Sequence, residues 1–247
     1  MTVDVGAALI VAAAAAIVAA TGMGFNLLST PLLSVVWAPE RAVVTTLLIG
    51  LCLSAAVLVG RDGLRHADRR IVLGLMLSSL VGLPLGALAL RVADARALRL
   101  LIGSVTVGYA LLILSGSKAR LPSGPAGLLL AGVAAGFLAS STGLSGPPVV
   151  LYLRSCDLKV RAFRATIAAY VVPVTAGGLL ALQAAGAIRP DDARAALSLA
   201  PAAVAGFAIG LWLFRLLADR RAHFERLVVL ALLVGGLLAA AGALFAP

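Results

Sequence analysis

The placement of charge constrains this chain more than any other feature. Marking every Asp, Glu, Lys, Arg and His leaves eight uncharged runs, at 5–39, 42–60, 71–90, 100–117, 121–153, 165–188, 195–214 and 227–247. Each reaches about the 18–20 residues that a helix rising 1.5 Å per residue needs to cross a hydrocarbon core of roughly 30 Å. Apolar residues make up 62% of the 247 positions and charged residues 12%, proportions foreign to a soluble domain. The sequence therefore predicts an all-α integral membrane protein. It excludes a soluble enzyme, a disulfide-stapled secreted domain and a disordered chain.

In a soluble protein the net charge of +10 would suggest a nucleic-acid partner. Here Lys and Arg fall between the apolar runs, in clusters such as Arg61, Arg65, Arg69 and Arg70, where the positive-inside rule already places them. A lipid bilayer is the expected surrounding and no nucleic acid is expected. The opening Met1-Thr2-Val3-Asp4 lacks the basic start of a signal peptide, so the first apolar run is expected to be retained. Cys52, inside an apolar run, reads as a small buried residue, and Cys156 lies in a loop. Neither belongs to a metal-ligand spacing, so no metal and no cofactor are expected.

The run lengths are 35, 19, 20 and 18 residues and then 33, 24, 20 and 21, so a long run followed by three ordinary ones occurs twice. Short echoes accompany the lengths. Thr21-Gly22-Met23 matches Thr142-Gly143-Leu144, Arg41 to Thr46 matches Arg161 to Thr166, and Gly82-x-x-x-Gly86 matches Gly206-x-x-x-Gly210. The expectation is two repeats. Repeat 1–120 has a broken segment at 5–39 and helices near 42–60, 71–90 and 97–117. Repeat 121–247 has a broken segment at 121–153 and helices near 162–186, 193–215 and 225–245. The pairs Gly82/Gly86, Gly132/Gly136 and Gly206/Gly210 read as close helix contacts.

Both long runs must break, because such a length of continuous helix would extend about 50 Å. Gly22-Met23-Gly24-Phe25-Asn26 with Pro31 interrupts the first, and Thr142-Gly143-Leu144-Ser145-Gly146-Pro147-Pro148 the second. If each long run crosses once, the two membrane faces carry 12 and 8 Lys plus Arg. If each folds back as a re-entrant hairpin, the clusters at 61–70, 118–120, 154–164 and 215–226 share one face and the split is 14 to 6. Acidic residues divide five and five, leaving +9 against +1. The hairpin separates charge better, inverts the two repeats relative to one another, and puts both termini on the non-cytoplasmic side.

A non-helical backbone at membrane depth costs several kcal/mol per unpaired group unless it faces protein or water, so two breaks imply a polar interior. Each break starts a half-helix, near Asn26–Ser29 and Ser145–Pro148, whose free N–H groups and dipole favour an anion. The substrate-binding candidates of the first break are Thr21, Gly22, Gly24, Asn26, Ser29 and Thr30. Those of the second are Ser141, Thr142, Gly143, Ser145 and Gly146, with Ser140 nearby. Thr46 and Thr166 recur at matching positions and join them. For these two and for Thr45, helix packing is an equal alternative.

One helix end supplies roughly 0.3–1 kcal/mol, about 2 when partly buried, against an idealised anion desolvation on the order of 20 kcal/mol. Direct hydrogen bonds, residual hydration or a cation at the mouth, Arg41 or Arg161, must contribute the rest. Tyr152 is a candidate gate, with an interfacial anchor as its competing role. No acidic, basic or imidazole group lies within an apolar run, so there is no candidate catalytic residue and no carboxylate proton relay. An anion leaving a negative cytoplasm gains about 2.3 kcal/mol per charge per 100 mV, so export needs no coupling ion.

Two stretches carry a family resemblance. They are Gly22-Met23-Gly24 to Pro31-Leu32-Leu33, and Gly143-Leu144-Ser145-Gly146-Pro147-Pro148-Val149-Val150-Leu151-Tyr152 with Phe163-Arg164-Ala165-Thr166 after it. Over nearly its whole length the chain resembles the sulfite exporter TauE/SafE family of bacterial membrane permeases. It departs from the usual richer glycine run of the first motif at Phe25-Asn26. The resemblance implies a secondary transporter of a small sulfur-containing oxyanion or organosulfonate across the inner membrane, with both broken segments near the substrate path. A non-transporting membrane subunit or scaffold, and a permease for a cation or neutral solute, are the competing readings. A homo-oligomer is compatible with the sequence.

Overall fold

The computed structural model describes residues 4–21, 24–60, 63–116, 119–216 and 221–243. They form α1 (Val5–Thr21), α2 (Phe25–Val36), α3 (Pro39–Gly60), α4 (Gly63–His66), α5 (Arg69–Val92), α6 (Ala95–Leu114), α7 (Pro125–Thr142), α8 (Gly146–Leu153), α9 (Val160–Ala184), α10 (Pro190–Leu216) and α11 (Arg221–Gly242). Among the described residues there is no strand, and six helices are long and apolar enough to cross a membrane. Those six are α3, α5, α6, α7, α9 and α10, so α7 of the second long run qualifies by length while α11, expected as a span, is apolar only over Val228–Gly242. Both long runs are interrupted. Two further details differ. Pro31 does not break its segment but lies inside α2, because Gly24 has already made the turn. Cys52 is exposed rather than buried.

Between Arg70 and Arg91 the exposed side of α5 carries Leu73, Leu77, Leu80, Val81, Leu85 and Leu88 and no polar group, while its buried side carries Ser78, Ser79, Gly82, Gly86 and Ala87 between Leu75, Leu83 and Leu90. A helix facing water shows the opposite distribution. Large apolar residues outside and small or hydroxylated ones inside are what lipid contact and close helix packing require.

Two compact units form. The first comprises 1–50, 93–117 and 189–247, the second 51–92 and 118–188. Neither coincides with a sequence half. In the first unit α1 packs on α10 and α6 on α11, with α2 against α1, α6 and α11. In the second, α5 packs on α7 and α9, and α7 on α8 and α9.

The tightest contacts use the predicted glycine pairs. In the second unit a Cβ on Gly82 or Gly86 would fall on the carbonyl oxygens of Val133 and Phe137, and one on Gly132 or Gly136 on Ser78 and Ser79. Contacts advance in the same direction on both helices, so α5 and α7 run parallel. In the first unit Gly206 and Gly210 of α10 meet the carbonyls of Ala12 and Ala16 in the same parallel sense. Each unit thus pairs the first helix of a broken run with a Gly-x-x-x-Gly helix from the other half of the sequence.

Candidate functional site: two broken hairpins

Each long run turns back on itself. In the first unit α2 ends at Trp37, whose indole Nε1–H donates to Asp4 Oδ2 at 2.9 Å. Asp4 in turn accepts the N–H groups of Gly6 and Ala7 at the start of α1. The far end of α2 has therefore returned to the beginning of α1. In the second unit the Leu121 N–H, just before α7, donates to the Leu151 carbonyl in α8 at 3.2 Å. At eight residues, α8 would be about 12 Å long, too short to cross a bilayer. Both runs thus fold back on themselves, although α7, at 18 residues, is long enough to span while α8 is not.

The first turn is made at Gly24, in the left-handed region with φ 99°, where a side chain would be strained. Gly22 and Met23 lie outside the described residues, as does the side chain of Thr21. Phe25, Asn26 and Leu27 begin α2, and Leu28 N–H is the first to reach back, to the Gly24 carbonyl. The first turn of α2 is therefore formed by residues 25–27 rather than starting at Asn26. Asn26 packs its amide against α3 at Gly50, where a Cβ would collide with it. One turn further on, the Thr30 and Thr46 hydroxyls meet at 2.9 Å. Thr46 gives its proton to the Val43 carbonyl, so Thr30 is the donor between them. Ser29 donates to the Phe25 carbonyl.

The second turn is made at Gly143, φ 77°. Its N–H donates to the Ala139 carbonyl and that of Leu144 to Leu138, which satisfies the end of α7. Ser145 caps α8 without a side-chain capping bond and is buried. Pro147 and Pro148 have no N–H, so the expected donors at 145–148 reduce to the N–H groups of Ser145 and Gly146. Ser141 and Thr142 donate to the Phe137 and Leu138 carbonyls of their own helix. Ser140 donates at 2.7 Å to the Leu83 carbonyl of α5. Thr166 accepts the N–H of Asp68, the residue that caps α5.

The hydroxyls singled out in the sequence thus mostly spend their protons on helix carbonyls. The N–H groups of Ser145 and Gly146 and the Ser145 hydroxyl are the better anion donors. Arg41 is exposed and stacks over the Trp37 ring at 4.7 Å, beside the closure of the first hairpin. Arg161 is exposed in the first turn of α9. Tyr152 is buried inside its hairpin against Gly127, not at a surface.

Arg99 is marked in the sequence only by the echo of Leu98-Arg99-Leu100 in Glu225-Arg226-Leu227, which gives it no role. From α6 its Nε donates to the Ser34 carbonyl at 3.0 Å, placing a cation on the negative end of α2. The only signal available was an arginine flanked by leucines, 65 positions from its acceptor. Asp4 is likewise without a role legible in the sequence. The Trp37 indole N–H first, then the Ala7 amide, hold its carboxyl below the usual carboxylate range.

The family profile described as Sulfite exporter TauE/SafE matches residues 7–239, a span that takes in both hairpins. The chain belongs to the sulfite exporter TauE/SafE family. No curated protein and no solved structure matches it. As a TauE/SafE protein it is a multi-pass membrane transporter of sulfur-containing anions and not an enzyme. The turns of both hairpins, rich in glycine and hydroxyl residues and without a charged group, are in keeping with that class, since transport asks for oriented dipoles rather than a general acid or base.

Proposed function

We propose that this protein is a permease exporting a small sulfur oxyanion or organosulfonate, sulfite-like in size and charge, across the bacterial inner membrane. Both termini would lie outside the cytoplasm and the two sequence halves would act as inverted repeats. One arrangement supports the anion reading most directly. α8 starts deep in the second hairpin with a buried, uncapped Ser145 and the N–H groups of Ser145 and Gly146 facing no helix carbonyl. Amide and hydroxyl protons at a helix N-terminus attract oxygens bearing negative charge. A cation permease would instead present carbonyls, and here the carbonyls of Phe25, Phe137 and Leu138 are occupied by hydroxyls.

In this reading each hairpin offers its own donors, Gly24, Asn26 and the start of α2 in the first and Gly143, Ser145 and Gly146 in the second. Ser29, Thr30, Thr46, Ser141, Thr142 and Thr166 shape or hold these segments, and Thr21 and Gly22 are further candidate contacts of the anion. Arg41 and Arg161 attract the anion, and Tyr152 stiffens the second hairpin. Proteoliposomes loaded with sulfite or a sulfonate and held at a defined potential test it. Wild-type protein should pass the anion, while Asn26→Leu and Ser145→Val should lower flux about tenfold or more, the loss of one charge-assisted hydrogen bond. Absence of protein-dependent flux for every sulfur oxyanion and sulfonate tried would favour a scaffold.

A further inference from the structure

We infer that Thr45 of α3 touches the transported anion, its hydroxyl donating to one of the oxyanion oxygens. This rests on the permease reading and moves the α3 contact from Thr46 to its neighbour. Thr45 is completely buried, yet its Oγ1 has no hydrogen-bond partner. The other buried hydroxyls among the described residues of the first unit are all paired. Ser29, Ser34, Thr46 and Thr106 donate to carbonyls three or four residues earlier, and Thr30 bonds to Thr46. Thr45 has the same option in the carbonyl of Arg41 one turn back and does not take it.

A buried hydroxyl without a partner destabilises the fold, and an isosteric valine would remove that cost. A threonine here makes sense if its proton is reserved for something absent from the resting protein. Its position suits that role. Thr46, the next residue, meets Thr30, and Gly50 admits the Asn26 amide, so Thr45 lies on the stretch of α3 that runs beside the first turns of α2. The missing partner is an acceptor, which an oxyanion supplies on every oxygen.

Sulfite uptake into proteoliposomes at graded concentrations, with thermal unfolding in parallel, tests this for Thr45→Ser, Thr45→Val and Thr45→Ala. Thr45→Val and Thr45→Ala should raise the half-saturating sulfite concentration about tenfold, one hydrogen bond to a charged acceptor. Thr45→Ser should stay within about twofold of wild type, and Thr45→Val should unfold no lower than wild type. Wild-type half-saturation in Thr45→Val, whatever its stability, overturns the inference. Should Thr45→Val not fold, equal half-saturation in Thr45→Ala and Thr45→Ser overturns it in the same way. No uptake by the wild type of sulfite or of any sulfur oxyanion or sulfonate tried in its place is a separate result, which removes the permease reading and this contact with it.

Discussion

Gly24 and Gly86 are both irreplaceable, for opposite reasons. A Cβ on Gly24 would meet nothing within 4 Å, but the residue sits at φ +99°. Gly24→Ala therefore carries only the left-handed backbone penalty, about 1–2 kcal/mol. Gly86 has helical backbone, and its Cβ would strike the Phe137 carbonyl and lie 2.5 Å from Ser140 Oγ, whose bond to Leu83 ties α7 to α5. Overpacking costs about 1–3 kcal/mol, and the strained Ser140 bond adds to it. Thermal unfolding in detergent should rank Gly86→Ala as the more destabilising, and Gly24→Ala should be the one that disturbs transport while α5 and α7 stay packed. The reverse ranking would contradict the close approach. Much of this was legible, since glycine in an apolar run signals either a turn or a contact. The fate of each hydroxyl was not. Ser29, Ser141 and Thr142 look the same in sequence whether they face a ligand or their own helix, because a single χ1 rotation decides it.

At the scale of elements, each hairpin is closed far from its glycine turn. The second uses backbone, Leu121 to Leu151, and is indifferent to pH. The first uses the Asp4 carboxylate and the Trp37 indole. The Trp37 indole N–H lowers the Asp4 pKa below 3.8 when folded, so the contact stabilises fully above the unfolded value and is lost as pH falls through the lower, folded one. With Trp212→Phe leaving Trp37 as the sole indole, its fluorescence should be flat from neutrality down to about pH 4 and change below that. In Asp4→Asn the acid transition should vanish. A transition persisting in Asp4→Asn would place the titrating group elsewhere. Sequence patterning reached the hairpins themselves, because glycine marked the turns and charge counting preferred folding back. It did not reach the clasp, because an aspartate and a tryptophan 33 residues apart have no local periodicity to connect them.

For the molecule as a whole, lipid sets the terms. Charges are excluded from the spans, so the spans could be read by eye, whereas the pairing of α5 with α7 and of α10 with α1 could not. Small-residue motifs advertise a contact without naming its partner. Charge also predicts an orientation, and α9 offers the cleanest test of it. Running Val160–Ala184, it is long enough to cross the bilayer, with Cys156 just before it in a basic cluster and Ala187 just after it. The positive-inside rule puts the 154–164 cluster in the cytoplasm. In a Cys52→Ala background, a membrane-impermeant maleimide added to intact cells should therefore spare Cys156 and label it once the membrane is opened. Cys156→Ser combined with Ala187→Cys should label from outside without opening. If the two positions exchange behaviour, the chain is inserted the other way up. The hairpins would then open toward the opposite face, and the potential that assists export of an anion would oppose it by about 2.3 kcal/mol per charge per 100 mV.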